Sequence, residues 1–223
     1  YDTCRLGSLV LLNFVKKPFT KDAEIDWANL SKMAKLAQRF MDDIIDLEEE
    51  KINTILEKID NDPEKEEIKR TEKEIWKKVL GVLKNGRRTG LGILGLGDTL
   101  AALGLTYGTQ KASDMAEKIM RSVALASYKE SVKLAKERGS FPIFDVNKEG
   151  QNKFINRVIA NNFSSSEYDE YVKYGRRNIA NLSIAPTGSL TILAQTTSGI
   201  EPVFKAVYKR RRKVNPINFC VFC

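Results

Sequence analysis

Asn178-Ile-Ala-Asn-Leu-Ser-Ile-Ala-Pro-Thr-Gly-Ser-Leu-Thr-Ile-Leu-Ala194 carries an apolar, β-prone segment into Pro186 and leaves it as a short apolar run. It reads as a buried strand that stops at the proline and turns at once into a helix. The turn itself is Pro186-Thr187-Gly188-Ser189-Leu190, and its residues admit two readings. One is an ordinary strand-to-helix connection capped by a hydroxyl. The other is an anion site: Gly188 lets a ligand approach the backbone, Thr187 and Ser189 offer hydroxyls, and the unpaired N–H groups of the first helical turn point outward.

Outward from this stretch, strand and helix patterns alternate. Leu6 to Val15 is apolar and β-branched enough for a strand, and Asp26 to Asp46 has apolar residues at helical spacing. Glu48 to Ile59 and Glu64 to Leu83 read as two charged amphipathic helices parted by Asn61-Asp62-Pro63, with the proline opening the second. Ser113 to Arg138 is a long helix, Gly139 to Asp145 a loop, residues 147 to 175 helical in part, and Phe204 to Tyr208 a further strand. Alternation of this kind implies an α/β fold whose strands are buried on both faces.

The chain has 223 residues, 42% apolar and 30% charged, with a net charge of +8, three cysteines and no histidine. Without histidine, Ser-His-Asp and Cys-His catalysis and His-ligated metals are excluded from this segment. Three cysteines point to a reducing, cytoplasmic setting rather than a disulfide scaffold. No apolar run approaches the roughly 18 residues of a membrane span, and Tyr1-Asp2-Thr3 has no basic signal-peptide region. The chain does not begin with Met and reads as a piece of a longer one. Lys209-Arg210-Arg211-Arg212-Lys213, with the pairs Arg176-Arg177 and Arg87-Arg88, reads first as solvated surface; a polyanion-binding role is the rival.

Gly90-x-Gly92-x-x-Gly95 matches a dinucleotide fingerprint as a string, but it follows the charged helical pattern of Ile75 to Leu80 rather than a buried strand. Close helix packing is the better account of these glycines. Cys220-x-x-Cys223 has a redox spacing but no second pair to complete a zinc site. Cys4 alone reads as a small buried hydrophobe, and Glu201 as a turn residue.

Six segments taken together resemble the large catalytic chain of ribonucleotide reductase, in its adenosylcobalamin-dependent class II branch. They are Tyr1-Asp-Thr-Cys-Arg-Leu6; Gly86-Arg-Arg-Thr-Gly-Leu-Gly92 with Gly97-Asp98 and Leu100 to Gly104; Glu137 to Asp145; Tyr174-Gly-Arg-Arg-Asn-Ile-Ala180; Ile184-Ala-Pro-Thr-Gly188; and Gln195 to Phe204 with Tyr208 to Pro216. They follow the family's order and cover most of the chain. The hairpin of residues 48 to 84 resembles an insertion of one cobalamin-dependent subgroup.

The resemblance implies the later part of a ten-stranded α/β barrel, with 1–223 a partial catalytic domain, 48–84 a charged hairpin insertion and 217–223 a divergent tail. It implies a thiyl radical that abstracts the 3′-hydrogen of a ribonucleotide, while two other cysteines supply reducing equivalents as the 2′-hydroxyl leaves as water. Cys4 falls on one of those redox thiols. Pro186, Thr187, Gly188, Ser189 and Leu190 fall on the segment that holds the substrate phosphates. Implied partners are a ribonucleoside di- or triphosphate, a thioredoxin-like reductant and the remainder of the catalytic chain, with adenosylcobalamin bound mostly outside this segment and no membrane or nucleic acid. The family's Asn-x-Cys-x-Glu loop is absent, so the chain alone is expected to be inert. The rival readings are a basic nucleic-acid-binding module without catalysis and a split subunit that completes a partner's barrel.

Overall fold

The computed structural model describes residues 2, 3, 5–203, 205 and 207. The first apolar run divides: β1 (Leu6–Val10) is extended, Leu11–Phe14 is a 3₁₀ turn, and β2 (Val15–Lys16) pairs antiparallel with β3 (Glu24–Ile25). α1 (Trp27–Asn61) is one continuous 35-residue helix started by Asp26, whose carboxylate accepts the Asn29 N–H at 3.1 Å. The two helices expected within this span are therefore one. Leu47 and Glu48 are good helix formers, and no glycine or proline interrupts the passage.

α2 (Glu66–Gly86) starts three residues after Pro63 and folds back on α1 over a small core of Ile45, Ile52 and Leu83. It stops at Arg87, which adopts the left-handed region with φ 46°. β4 (Gly90–Leu94) follows, buried throughout and parallel to β1, with Leu6 opposite Gly90 and Val10 opposite Leu94.

The remaining elements are helical. α3 (Leu96–Ala102) is followed by α4 (Gln110–Arg138), which Thr109 caps. α5 (Val146–Glu149) and α6 (Lys153–Ile155) lead into a π-helical turn at Asn156–Ala160. α7 (Ser165–Tyr174) opens on a Ser164–Glu167 capping box, and α8 (Gly188–Ala194) closes the described elements. None of the described helices is long and apolar enough to cross a membrane.

The expected strand across 178–185 is reduced to a single parallel bridge between Leu91 and Leu182. Even so, the segment lies along β4: Leu91 N–H donates to the Asn181 carbonyl at 2.8 Å, and Ser183 N–H to that of Leu91 at 3.0 Å. This contact explains the glycines of β4 and corrects the helix-packing expectation. A Cβ on Gly92 would stand 2.3 Å from the Ser183 carbonyl oxygen, and one on Gly90 would stand 2.8 Å from Leu6 Cδ2. The glycines let three extended runs lie side by side. α1 and α4 cover them with Leu30, Ala34, Ile119 and Val123 over Leu9, Leu91 and Ile93. The described part is helix-rich, with few strands and no closed barrel.

A buried polar hub fastens the helix ends together. Asp42 on α1 is wholly buried; its Oδ1 accepts from Arg87 Nη2 at 2.8 Å and Asn178 Nδ2 at 2.9 Å, and its Oδ2 from Arg138 at 3.1 Å and Arg177 at 3.3 Å. Arg176 is 1% exposed and meets Glu149 at 2.6 and 2.8 Å. The arginine pairs expected on the surface thus send Arg87 and Arg176 inward. Burial raises the Tyr171 phenol above its usual range, and the Arg39 hydrogen bond holds the Glu137 carboxyl below its own.

Candidate functional site

Side-chain amides deliver the Asn178–Ala194 stretch to its place. Asn178 Oδ1 accepts from Gln38 at 3.1 Å and from Ser131 at 2.9 Å, while Asn181 Nδ2 donates to the Ser127 hydroxyl at 3.0 Å. Asn178 and Asn181 are completely buried, so the chain leaves the β4 edge from a fixed point.

The turn then forms. Thr187 is buried, and its side chain faces the loop at 196–200 instead of capping α8: its Oγ1 accepts the Gly199 N–H at 2.9 Å and lies 3.2 Å from Ser198 Oγ. The Thr187 N–H donates to Ser198 Oγ at 3.3 Å. The first hydrogen bond of α8 runs from Thr191 N–H to the Thr187 carbonyl at 2.9 Å. The N–H groups of Gly188, Ser189 and Leu190 consequently have no acceptor among the described residues, and all three residues are exposed. A Cβ placed on Gly188 meets nothing within 4 Å, so there is room beside the turn on that side. Of the two hydroxyls expected to face an anion, Thr187 is committed internally; that of Ser189 has no partner among the described residues.

The loop beneath the turn was not legible as part of the site. Asp98 Oδ2 accepts the Thr197 N–H at 2.6 Å, Gly95 N–H donates to the Thr197 carbonyl at 3.0 Å, and the Tyr107 hydroxyl donates to the Ile200 carbonyl at 2.8 Å. A Cβ on Gly97 would fall 2.9 Å from both the Glu201 carbonyl oxygen and Pro202 Cα. Gly95, Gly97 and Asp98 therefore seat the loop that in turn seats Thr187. Glu201 is a turn residue, as expected, with its N–H donating to the Ser198 carbonyl at 2.9 Å. The Thr196 and Thr197 hydroxyls are buried without a partner, so polar capacity beside the turn is left open.

Cys4, Cys220, Cys223, the Lys209–Lys213 run and most of the strand expected at Phe204 to Tyr208 lie outside the described residues. Beside Cys4 in sequence, buried Arg5 pairs with Glu48 and donates to the Arg88 carbonyl at 2.9 Å, which fixes that segment to α1 and to the approach to β4. Asp42, Asp43 and Asp46 bring carboxylate oxygens within 4.8 Å of one another. Arg87, Arg138 and Arg177 already neutralise them, so the trio is a structural ion cluster rather than a metal centre.

A family model described as the barrel domain of ribonucleotide reductase matches residues 1–220. A vitamin B12-dependent ribonucleoside-diphosphate reductase of Mycobacterium tuberculosis is 31% identical over 211 residues, which is 94% of this chain and 23% of that protein. One from Thermoplasma acidophilum is 30% identical over 210 residues, again 94% of this chain and 21% of the other. Among solved structures, the alpha subunit of the class Id ribonucleotide reductase of Actinobacillus ureae superposes with a TM-score of 0.52 at 22% identity, covering 89% of this chain and 28% of that one. The chain thus spans less than a quarter of the length of these two curated relatives.

Proposed function

The chain belongs to the ribonucleotide reductase family through its barrel domain, and from that premise we propose that it is the substrate-phosphate-binding part of an enzyme that reduces ribonucleotides to 2′-deoxyribonucleotides. One observation carries the assignment of the site: three adjacent amides at Gly188, Ser189 and Leu190 lack acceptors among the described residues, and all three residues are exposed. Phosphate oxygens accept from such a row, and the positive end of α8 favours their charge. Ser189 Oγ adds a hydroxyl donor; Pro186 and Thr187 shape the turn.

The overall reaction balances as ribonucleotide plus dithiol giving deoxyribonucleotide, disulfide and water. Cys4 is one thiol of that pair, and a thioredoxin-like protein returns the disulfide to the dithiol. The radical-bearing cysteine, the second thiol and the remaining strands of a ten-stranded barrel belong to the rest of the catalytic chain, so the 223 residues alone are inert. Adenosylcobalamin, by analogy with the vitamin B12-dependent relatives, would supply the radical when bound to the whole catalytic chain. The residues of this segment do not fit a corrinoid by themselves. The chain has no histidine to offer cobalt, and the apolar Ile192 and Leu193 of α8 stand 78% and 84% exposed. Of the basic pairs a nucleic-acid surface would add to the Lys209–Lys213 run, Arg87 and Arg176 are committed inside the fold, which leaves that rival less support.

Gly188→Val tests the site. The side chain enters open space at a φ that is not left-handed, so stability should change by less than about 1 kcal/mol. Loss of one or two charge-assisted bonds, each worth about 1.5–3 kcal/mol, should weaken ribonucleoside diphosphate binding by at least tenfold in the intact protein. Unchanged affinity, measured by calorimetry, would remove the turn from the substrate site. Cys4→Ser in the intact protein should leave nucleotide binding in place and end turnover supported by external dithiols. Sustained turnover by that variant would reject the redox role.

A further inference from the structure

A cavity of about 340 Å³ opens between α4 and the π-helical turn, and none of its lining residues belongs to the turn at 186–190 or to the loop beneath it. Its floor is apolar: Met120 and Leu125 of α4, Val158 of the π-helical turn, and Leu182 from the segment beside β4. Its rim is charged, with Glu117, Arg121 and Arg157 all exposed. Ligand cavities run from about 300 to 1,000 Å³, so this one admits a molecule of one or two rings.

The π-helical turn brings Arg157 to the rim. Its Asn161 N–H reaches back five residues to the Asn156 carbonyl at 3.3 Å, and Asn162 Nδ2 donates to the carbonyls of Arg157 and Val158 at 2.7 and 3.2 Å. These bonds satisfy and fix the backbone. The Arg157 guanidinium lies over the Phe154 ring, 5.8 Å from its centre, and has no carboxylate partner among the described residues. Arg121 has none either. In this fold that is the exception. Apart from Arg70 on α2, every other described arginine meets a carboxylate.

Two guanidiniums against the single carboxylate of Glu117 leave the rim with an excess of one positive charge. A guanidinium fork matches a carboxylate through two parallel bonds, and it is hydrated weakly enough to work beside an apolar floor. We propose that this cavity binds a small amphipathic monoanion, a carboxylate whose apolar body enters over Val158 and Leu182 and whose charge is held by Arg121 and Arg157. The site uses neither the Pro186 turn nor a thiol, so it stands or falls separately from the assigned function.

Calorimetric titration with 2-naphthoate, of the 223-residue chain and of the intact catalytic protein, tests it. Saturable binding to one site is expected in both. Arg121→Ala and Arg157→Ala should each weaken it roughly three- to tenfold, with unchanged circular dichroism because both side chains are exposed. Arg157→Lys keeps the charge but not the fork and should recover only part of the loss. 2-Naphthylmethylamine, the same rings with a positive charge, should not compete. No saturable binding, competition by the amine, or indifference to both alanine substitutions would overturn the proposal. So would a loss on Leu193→Ser, which would place the ligand on the exposed apolar residues of α8. Binding by the 223-residue chain that vanishes in the intact protein would overturn it too, because another segment of the polypeptide then fills the cavity.

Discussion

Asp42→Ala is expected to destabilise the chain by about 3–5 kcal/mol, the cost of leaving buried charge without its partner. The carboxylate is wholly buried and accepts from Arg87, Arg138, Arg177 and Asn178. Its removal leaves the guanidinium of Arg87, itself 5% exposed, with the more exposed Asp46 as its remaining ion-pair partner. The damage is not local, because these four donors come from the end of α2, the end of α4 and the start of the stretch that leads to the turn. Asp42→Asn keeps the shape and should lose less. Urea denaturation of both variants measures the difference; a loss under about 1 kcal/mol for the alanine would mean that the hub is not what joins these elements.

Gly92→Ala is expected to cost about 3 kcal/mol, at the upper end of ordinary overpacking. The new methyl would stand 2.3 Å from the Ser183 carbonyl oxygen, and that atom is backbone rather than the movable end of a side chain. Relief requires the 180–183 segment to leave β4, which breaks the bonds of Leu91 with Asn181 and Ser183. The turn at Pro186 is carried by that same segment, so the variant should also lose nucleotide affinity. Gly81→Ala provides the contrast: nothing lies within 4 Å of its Cβ, and the position is interior to α2. There the substitution should stabilise by about 0.5–1 kcal/mol through helix propensity. If the two substitutions had equal effects, the close approach at Gly92 would not be real.

What could be read from the residues, and what could not, follows from the range of the forces involved. Helical periodicity is local, so the hairpin of α1 and α2, the long α4 and the short α8 were all legible. The passage through Leu47 and Glu48 was not, because a change in the spacing of apolar residues marks a change of partner as readily as a helix end. α1 turns one face to the sheet and α4 and then, past Ile45, to α2. The glycines of β4 were misassigned for a related reason. Their purpose is set by Ser183, some ninety residues away, and no local pattern encodes that contact.

At the turn, the open amides of Gly188 and Ser189 were legible because an exposed helix start has the same chemistry wherever it occurs. Thr187 was legible as a turn residue but not in its role, since its hydroxyl is taken by Gly199 and Ser198. Gly95, Gly97 and Asp98 carried a signal, a glycine-rich run closed by a carboxylate, whose meaning depends on the distant loop it supports. The arginine pairs misled in the opposite direction. Charge suggests surface, yet Arg87 and Arg176 each find a carboxylate that allows burial.

The central claim is that backbone donors at the start of α8 receive the phosphates of a ribonucleotide. Amide-resolved NMR of the chain titrated with a ribonucleoside diphosphate tests it most directly. The account predicts that the Gly188, Ser189 and Leu190 amides move first and furthest, and that inorganic phosphate at higher concentration moves the same three. Saturable shifts elsewhere with these amides unmoved would contradict it.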